Sequence, residues 1–194
     1  MAVSNVKTSE LDQWHEFGVY TPARLIDLSG EIHQEKATEF IKNIRLLDYV
    51  SDKEIRVLIN SEGGDVRAGM DIVDAIKECQ SKVITHVVGV AESMAAIITQ
   101  AGDERLISYS GSIMIHVGQE GYDLNHPRNL EAWMKESRRL GKLADGLLFK
   151  QIKKKKPRFT KKAFDELITF DTIYTSKEAV DMGLVDRIVE HKSL

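Results

Sequence analysis

Ser93, His116 and Asp171 carry the three side-chain types that a serine nucleophile requires: an alcohol, an imidazole to take its proton, and a carboxylate to orient the imidazole. Ser93 lies in Gly89-Val90-Ala91-Glu92-Ser93-Met94-Ala95-Ala96, where an apolar strand gives way to a small-residue helix. An alcohol at that boundary sits near free backbone N–H groups and the positive end of the helix, both useful to a tetrahedral oxyanion. His116 closes the apolar run that begins at Ser112, and Asp171 lies in the extended stretch Phe170-Asp171-Thr172-Ile173-Tyr174. Each has an ordinary reading beside the chemical one. Ser93 alone is an N-cap, His116 alone a satisfied core histidine, and Asp171 alone a surface acid or helix cap. The nucleophile elbow of α/β-hydrolases is excluded, because Ala91 and Ala95 occupy its two glycine positions. Spacing by itself does not bring the three together.

A second candidate is Asn60-Ser61-Glu62-Gly63-Gly64-Asp65-Val66, which also links a strand to a helix. Paired glycines there permit positive φ and a close backbone approach, so exposed N–H groups for an anion are one reading and a tight turn the other. The segment lacks the Lys-Ser/Thr end of a Walker loop and the third glycine of a dinucleotide fingerprint. Phosphate binding has little support.

The elements that must position these residues follow from periodicity. Strands are expected at 24–28, 54–60, 82–89, 105–109, 112–117 and 184–190, where β-branched and apolar residues cluster between turn signals. Helices are expected at 33–50, 66–79, after Ser93-Met94 up to Gly102, at 129–152, at 160–168, and from Ser176 to Gly183. The long helix shows apolar positions from 130 to 148 at spacings of three and four, which predicts a wide buried stripe. Alternating strands and helices predict an α/β fold with a largely parallel sheet flanked by helices. With no repeat or low-complexity linker, the chain divides only into an N-terminal arm, 1–22, and one domain, 23–194.

Composition narrows the function. The 194 residues are 42% hydrophobic and 29% charged with net charge −3, an ordinary balance that calls for no nucleic acid. Neither a secretory apolar core near the start nor a run of roughly 18 apolar residues is present, so no membrane partner is expected. The single Cys79 excludes an internal disulfide and fits a reducing compartment, with the cytoplasm as the expected location. His33, His86, His126 and His191 show no paired spacing, so neither a metal nor another cofactor is expected. The lysines at 153–156 read as a solvated helix end.

Taken jointly and in this order, the segments resemble the Clp protease proteolytic subunit family, within the crotonase-like superfamily. The resemblance rests on Ile59 to Met70, Gly89 to Ala96, Met114-Ile115-His116, Asp171, and the ending Glu178 to Asp186, and it spans roughly 24–190. It implies ββα repeats and a serine endopeptidase cutting unfolded or delivered polypeptides through an acyl-enzyme. By the same resemblance Ser93 is the nucleophile, His116 the base, Asp171 its orienter, and the Gly64 and Met94 N–H groups the oxyanion hole. Substrate would lie against Gly64, Asp65 and Val66 on one side and Val117 and Gly118 on the other. The family further implies self-association into rings, a heptamer or double heptamer, served by an unfolding ATPase.

Several positions depart from the family pattern. Glu92 stands where a small residue is usual, and Ala95 replaces a glycine after Ser93-Met94. Val117-Gly118-Gln119-Glu120 and the 125–127 loop replace the segment that joins two rings, and the arm does not match the loops that engage the ATPase. Such departures point to a divergent branch, of the kind bacteriophages encode. They also motivate a competing reading, an impaired ring or scaffold component. A coenzyme-A enzyme of the crotonase type is the third, disfavoured by a complete alcohol, imidazole and carboxylate set.

Overall fold

The computed structural model describes residues 14–118 and 130–189. Chain order gives β1 (Val19–Tyr20), a 3-10 turn (Thr21–Ala23), β2 (Leu25–Ser29), α1 (Gln34–Val50), β3 (Ile55–Ser61), α2 (Val66–Glu78), β4 (Val83–Glu92) and α3 (Met94–Thr99). β5 (Glu104–Ser108), β6 (Ser112–Ile115), α4 (Leu130–Lys155), α5 (Lys161–Leu167), β7 (Thr172–Thr175), α6 (Ser176–Met182) and β8 (Arg187–Val189) follow. The α/β expectation holds. The sheet runs β1-β2-β3-β4-β5-β8, parallel throughout except for the β1–β2 hairpin, with β6 and β7 branching from β4.

Because β2, β3, β4 and β5 advance in one direction, right-handed crossovers set α1, α2 and α3 on the same face. Side-chain alternation shows it. Ile55, Val57 and Ile59 of β3 are buried beneath those helices, while Arg56, Leu58 and Asn60 on the other face are more exposed. The covered face meets Phe40, Ile44 and Leu47 of α1 and Ile72, Val73 and Ile76 of α2 in one continuous core. Each fully buried aliphatic side chain there contributes about 1.5–3 kcal/mol.

Local signals explain the helix limits. His33 caps α1 by accepting from the Lys36 N–H, and the Asp65 carboxylate caps α2 by accepting from the Ala68 N–H at 2.7 Å. α6 opens on a Thr175–Glu178 capping box and closes on Gly183 at φ +84. Ser176 is the first residue of that helix, as expected, and its hydroxyl donates to the Tyr109 carbonyl at 2.7 Å while Thr175 supplies the cap. Arg24 has a task the pattern did not disclose. It adopts φ +53, and its guanidinium donates to the carbonyls of Leu47, Ser51 and Lys53 at 2.8, 3.0 and 2.8 Å. The Ser51 and Lys53 carbonyls lie beyond the last turn of α1, and the Leu47 carbonyl accepts from the Ser51 N–H as well, at 3.4 Å.

The long helix differs from expectation. Only Ala144, Leu148 and Ile152 of α4 are buried, all in its C-terminal half. Trp133, near its start, is 55% exposed. Its first turns run past the edge of the core, and what lies over the Trp133 ring is the Arg67 guanidinium, 5.4 Å from its centroid. No helix among the described residues is long and apolar enough to cross a membrane. Val19, inside the expected arm, is buried and pairs with Ile26; residues 1–13 lie outside the described residues.

The C-terminal unit is fastened by buried Arg105. Its guanidinium meets Asp186 through two nitrogens, with Nε–Oδ2 at 3.1 Å, and also donates to Gln100 Oε1 and the Gly183 carbonyl, each at 3.0 Å. Burial alone would raise the Asp186 carboxyl, but hydrogen bonds from Arg105 and its charge outweigh that and hold it below its ordinary 3.8. Asp186→Asn is expected to cost about 2–3 kcal/mol at neutral pH in a denaturant titration, less than a fully buried pair because Asp186 is half-exposed. A carboxyl lowered by folding stabilises above its unfolded pKa, so the gap between wild type and variant should close as pH falls below that 3.8.

Candidate active site

β4 delivers Ser93 into a turn that the expected N-cap does not describe. Ser93 has φ +51 and ψ −117, and its side chain makes no cap hydrogen bond to α3. A non-glycine residue in that region costs on the order of 1–3 kcal/mol and persists only when its surroundings enforce it. The Ser93 N–H donates to the Met114 carbonyl at 2.9 Å, and its own carbonyl accepts from Ala96 at 3.1 Å. The hydroxyl is thereby turned away from the helix.

The glycine segment closes on this turn, backbone against backbone. Gly63 stands at φ +94, and a Cβ there would lie 2.6 Å from the Glu92 carbonyl oxygen and 2.9 Å from both the Met94 nitrogen and Ser93 Cβ. Gly64, at φ +143, is pressed against Ile32, whose N–H donates to the Gly63 carbonyl at 2.7 Å and whose carbonyl accepts from Asp65 at 2.8 Å. That bonding engages the groups flanking Gly64 and leaves its own N–H without a hydrogen-bond partner among the described residues, as is the Met94 N–H in the first turn of α3. Two free donors therefore sit on the two segments that meet at Ser93.

Strand register brings in the other two residues. Parallel β6 sets Met114 beside Glu92, and antiparallel β7 sets Ile173 beside Met114 and Thr172 beside Ile115. Continuing the β6–β7 register by one residue places Asp171 opposite His116. His116 Nε2 lies 2.8 Å from Ser93 Oγ, and Nδ1 lies 3.3 Å from Asp171 Oδ1. The imidazole is largely buried, at 21% exposed, whereas the aspartate is 71% exposed. The tautomer with its hydrogen on Nδ1 serves both contacts: the hydroxyl donates to Nε2 and the ring donates to the carboxylate.

The remaining sequence candidates spread along the rim. Asp65 caps α2, and Val66 is that helix's first residue, half-buried. Val117 is 52% exposed, while its N–H donates to the Ile168 carbonyl at 2.6 Å. A Cβ at Gly118 would meet no atom of the described residues within 4 Å; Gln119, Glu120 and the 125–127 loop lie outside the described residues. Glu92 is half-exposed and forms no ion pair among them.

The close backbone approach expected of the glycine pair is made by Gly63, against which the serine turn is packed. The Met114 carbonyl, which anchors the Ser93 N–H, left no signal at all. Other reactive groups are poorly suited to chemistry here. Burial pushes the Cys79 thiol up to about 11 and the Tyr174 phenol up to about 12. No group of metal-ligating side chains occurs among the described residues.

The model of the Clp protease family matches residues 11–192. The chain belongs to that family. It is 30% identical over 196 aligned positions to the ATP-dependent Clp protease proteolytic subunit 3 of Parasynechococcus marenigrum (strain WH8102), covering 94% of this chain and 91% of that protein. To the ATP-dependent Clp protease proteolytic subunit of Deinococcus radiodurans it is 31% identical, covering 86% and 80%. The solved structure of a Clp protein from Listeria monocytogenes, the ClpP1 N165D mutant, superposes with a TM-score of 0.77 at 26% identity, covering 94% of this chain and 97% of that one. The ClpP-like expectation for the fold therefore holds, and the low identities fit a divergent member.

Gly63→Ala tests the close approach. Positive φ and contact with the Glu92 carbonyl should together cost about 2 kcal/mol or more in chemical denaturation. The same variant should also react far more slowly at Ser93 with a fluorophosphonate; unchanged stability and reactivity would contradict the packing described.

Proposed function

We propose that this Clp family member is a serine endopeptidase in which Ser93 attacks the scissile carbonyl of an extended polypeptide. The observation that carries the reading is the 2.8 Å contact between Ser93 Oγ and His116 Nε2 at a positive-φ turn that withholds the hydroxyl from the helix. As the Oγ–carbon bond forms, the hydroxyl proton passes to His116 Nε2, and the carbonyl oxygen becomes an oxyanion facing the Gly64 and Met94 N–H groups. Collapse of the intermediate breaks the peptide C–N bond, with His116 giving its proton to the leaving amine. Water then repeats the sequence on the ester, releasing the acid and restoring the alcohol. Asp171 holds the ring and stabilises its cationic form.

Backbone pairing of the substrate between Gly64–Val66 and Val117–Gly118 belongs to the same reading; it would use the backbone groups other than the Asp65 and Val117 N–H groups, which donate to Ile32 and Ile168. Assembly into rings, delivery of polypeptide by an unfolding ATPase and action in the cytoplasm are likewise proposed, supported by the family and by the names of the relatives.

Ser93→Ala should abolish both fluorophosphonate labelling and peptide hydrolysis while leaving assembly unchanged. Asp171→Asn should lower kcat by on the order of 100- to 1000-fold, less than the ~10⁴ seen where such an acid is buried. Wild-type protein that assembles yet neither labels nor hydrolyses would support the scaffold reading instead.

A further inference from the structure

Glu92 occupies a place in the site that the peptidase mechanism does not use. Partners in adjacent strands project to the same face of a sheet. The pairings Glu92–Met114 and Met114–Ile173 therefore put these three side chains in one row across β4, β6 and β7. His116 and Asp171 lie on that face one step further along, because residues two apart on a strand share a side. The burial pattern agrees: Ile113 and Ile115 are buried, Met114 and His116 are half-buried, and Ile173 is 66% exposed. The row is therefore open to solvent, with two apolar side chains beside a carboxylate that precedes Ser93 directly.

Three features make this row selective. The carboxylate is uncommitted, since no lysine, arginine or histidine among the described residues forms an ion pair with it. Its backbone is fixed, since the Glu92 carbonyl is pressed against Gly63 and strand pairing with β6 holds the residue to its end. Met114 and Ile173 supply an apolar floor. A long cationic side chain matches all three, laying its methylene stem on the floor and bringing its charged end to the carboxylate. An acidic side chain would face like charge in the same place, which adds rejection to attraction.

We propose that Glu92 is a specificity-determining residue that selects a lysine or arginine flanking the scissile bond. The proposal rests on the peptidase reading above, and the experiment separates the two. Matched fluorogenic peptides carrying Lys, Leu or Glu on either side of the scissile bond would be assayed with the assembled wild type, Glu92→Gln and Glu92→Ala. Cleavage sites in an unfolded protein would be mapped by mass spectrometry, with fluorophosphonate labelling of Ser93 run in parallel. Wild type should favour Lys over Leu by about fivefold or more in kcat/KM, the scale of a half-exposed ion pair, and disfavour Glu. Both variants should lose that ranking while still labelling at Ser93, and 0.5 M salt should weaken it in wild type only. Equal rankings in wild type and labelled variants would overturn the role of Glu92 and leave the peptidase reading standing. A wild type that never labels at Ser93 would overturn both. Should Glu92→Gln fail to assemble, Glu92→Ala and the salt dependence of the wild type decide.

Discussion

The two-sided pairing of β6 is the constraint on which the site depends. This four-residue strand runs parallel to β4 on one edge and antiparallel to β7 on the other. Parallel pairing at Glu92–Met114 sets the level of the serine turn, and antiparallel pairing at Ile115–Thr172 sets the level of the acid. A slip of one residue in either ladder would turn His116 or Asp171 to the opposite face, because strand side chains alternate. The imidazole thus meets an alcohol 23 residues before it and a carboxylate 55 residues after it without any local motif linking them.

Around that frame, strain is placed at the residue proposed as nucleophile. Ser93 takes a backbone conformation that serines avoid, and the fold enforces it from three sides: the Met114 carbonyl, the start of α3, and the glycine segment. Gly63 and Gly64 have different tasks. Gly63 lets the segment approach the serine turn, while Gly64 fits against Ile32 and keeps its own N–H free of any partner among the described residues. Ala95, a methyl larger than the family's glycine, is fully buried within α3, so the added group has been absorbed by the core. The Arg105–Asp186 pair acts at a distance from this centre, tying β8 and the end of α6 to β5.

Much of this was legible in the sequence, and the reasons are physical. Parallel-sheet strands buried on the helix side gave apolar runs, and β3 and β4 were recognisable from them. The helix end at Gly183 was legible because caps use few residue types. Residue types also exposed Ser93, His116 and Asp171 as candidates, but the family resemblance supplied their grouping, since register between distant strands leaves no mark in linear spacing. The serine read alone as an N-cap because residue identity does not reveal φ. Arg24 and Met114 were invisible for a related reason: Arg24 donates to backbone carbonyls and Met114 acts through its own, and every residue has one. The long helix misled in the other direction: its apolar period continues through Trp133, beyond the point where the chain provides a core to receive it.

The central claim is that His116 serves the Ser93 alcohol while the Gly64 and Met94 N–H groups await a negative oxygen. A crystal structure of the assembled protein after reaction with a fluorophosphonate tests it most directly. The account predicts phosphorus bonded to Ser93 Oγ, the phosphonyl oxygen within hydrogen-bond distance of both N–H groups, and His116 still beside the adduct. An adduct on another residue, or a phosphonyl oxygen turned away from both donors with the imidazole displaced, would contradict it.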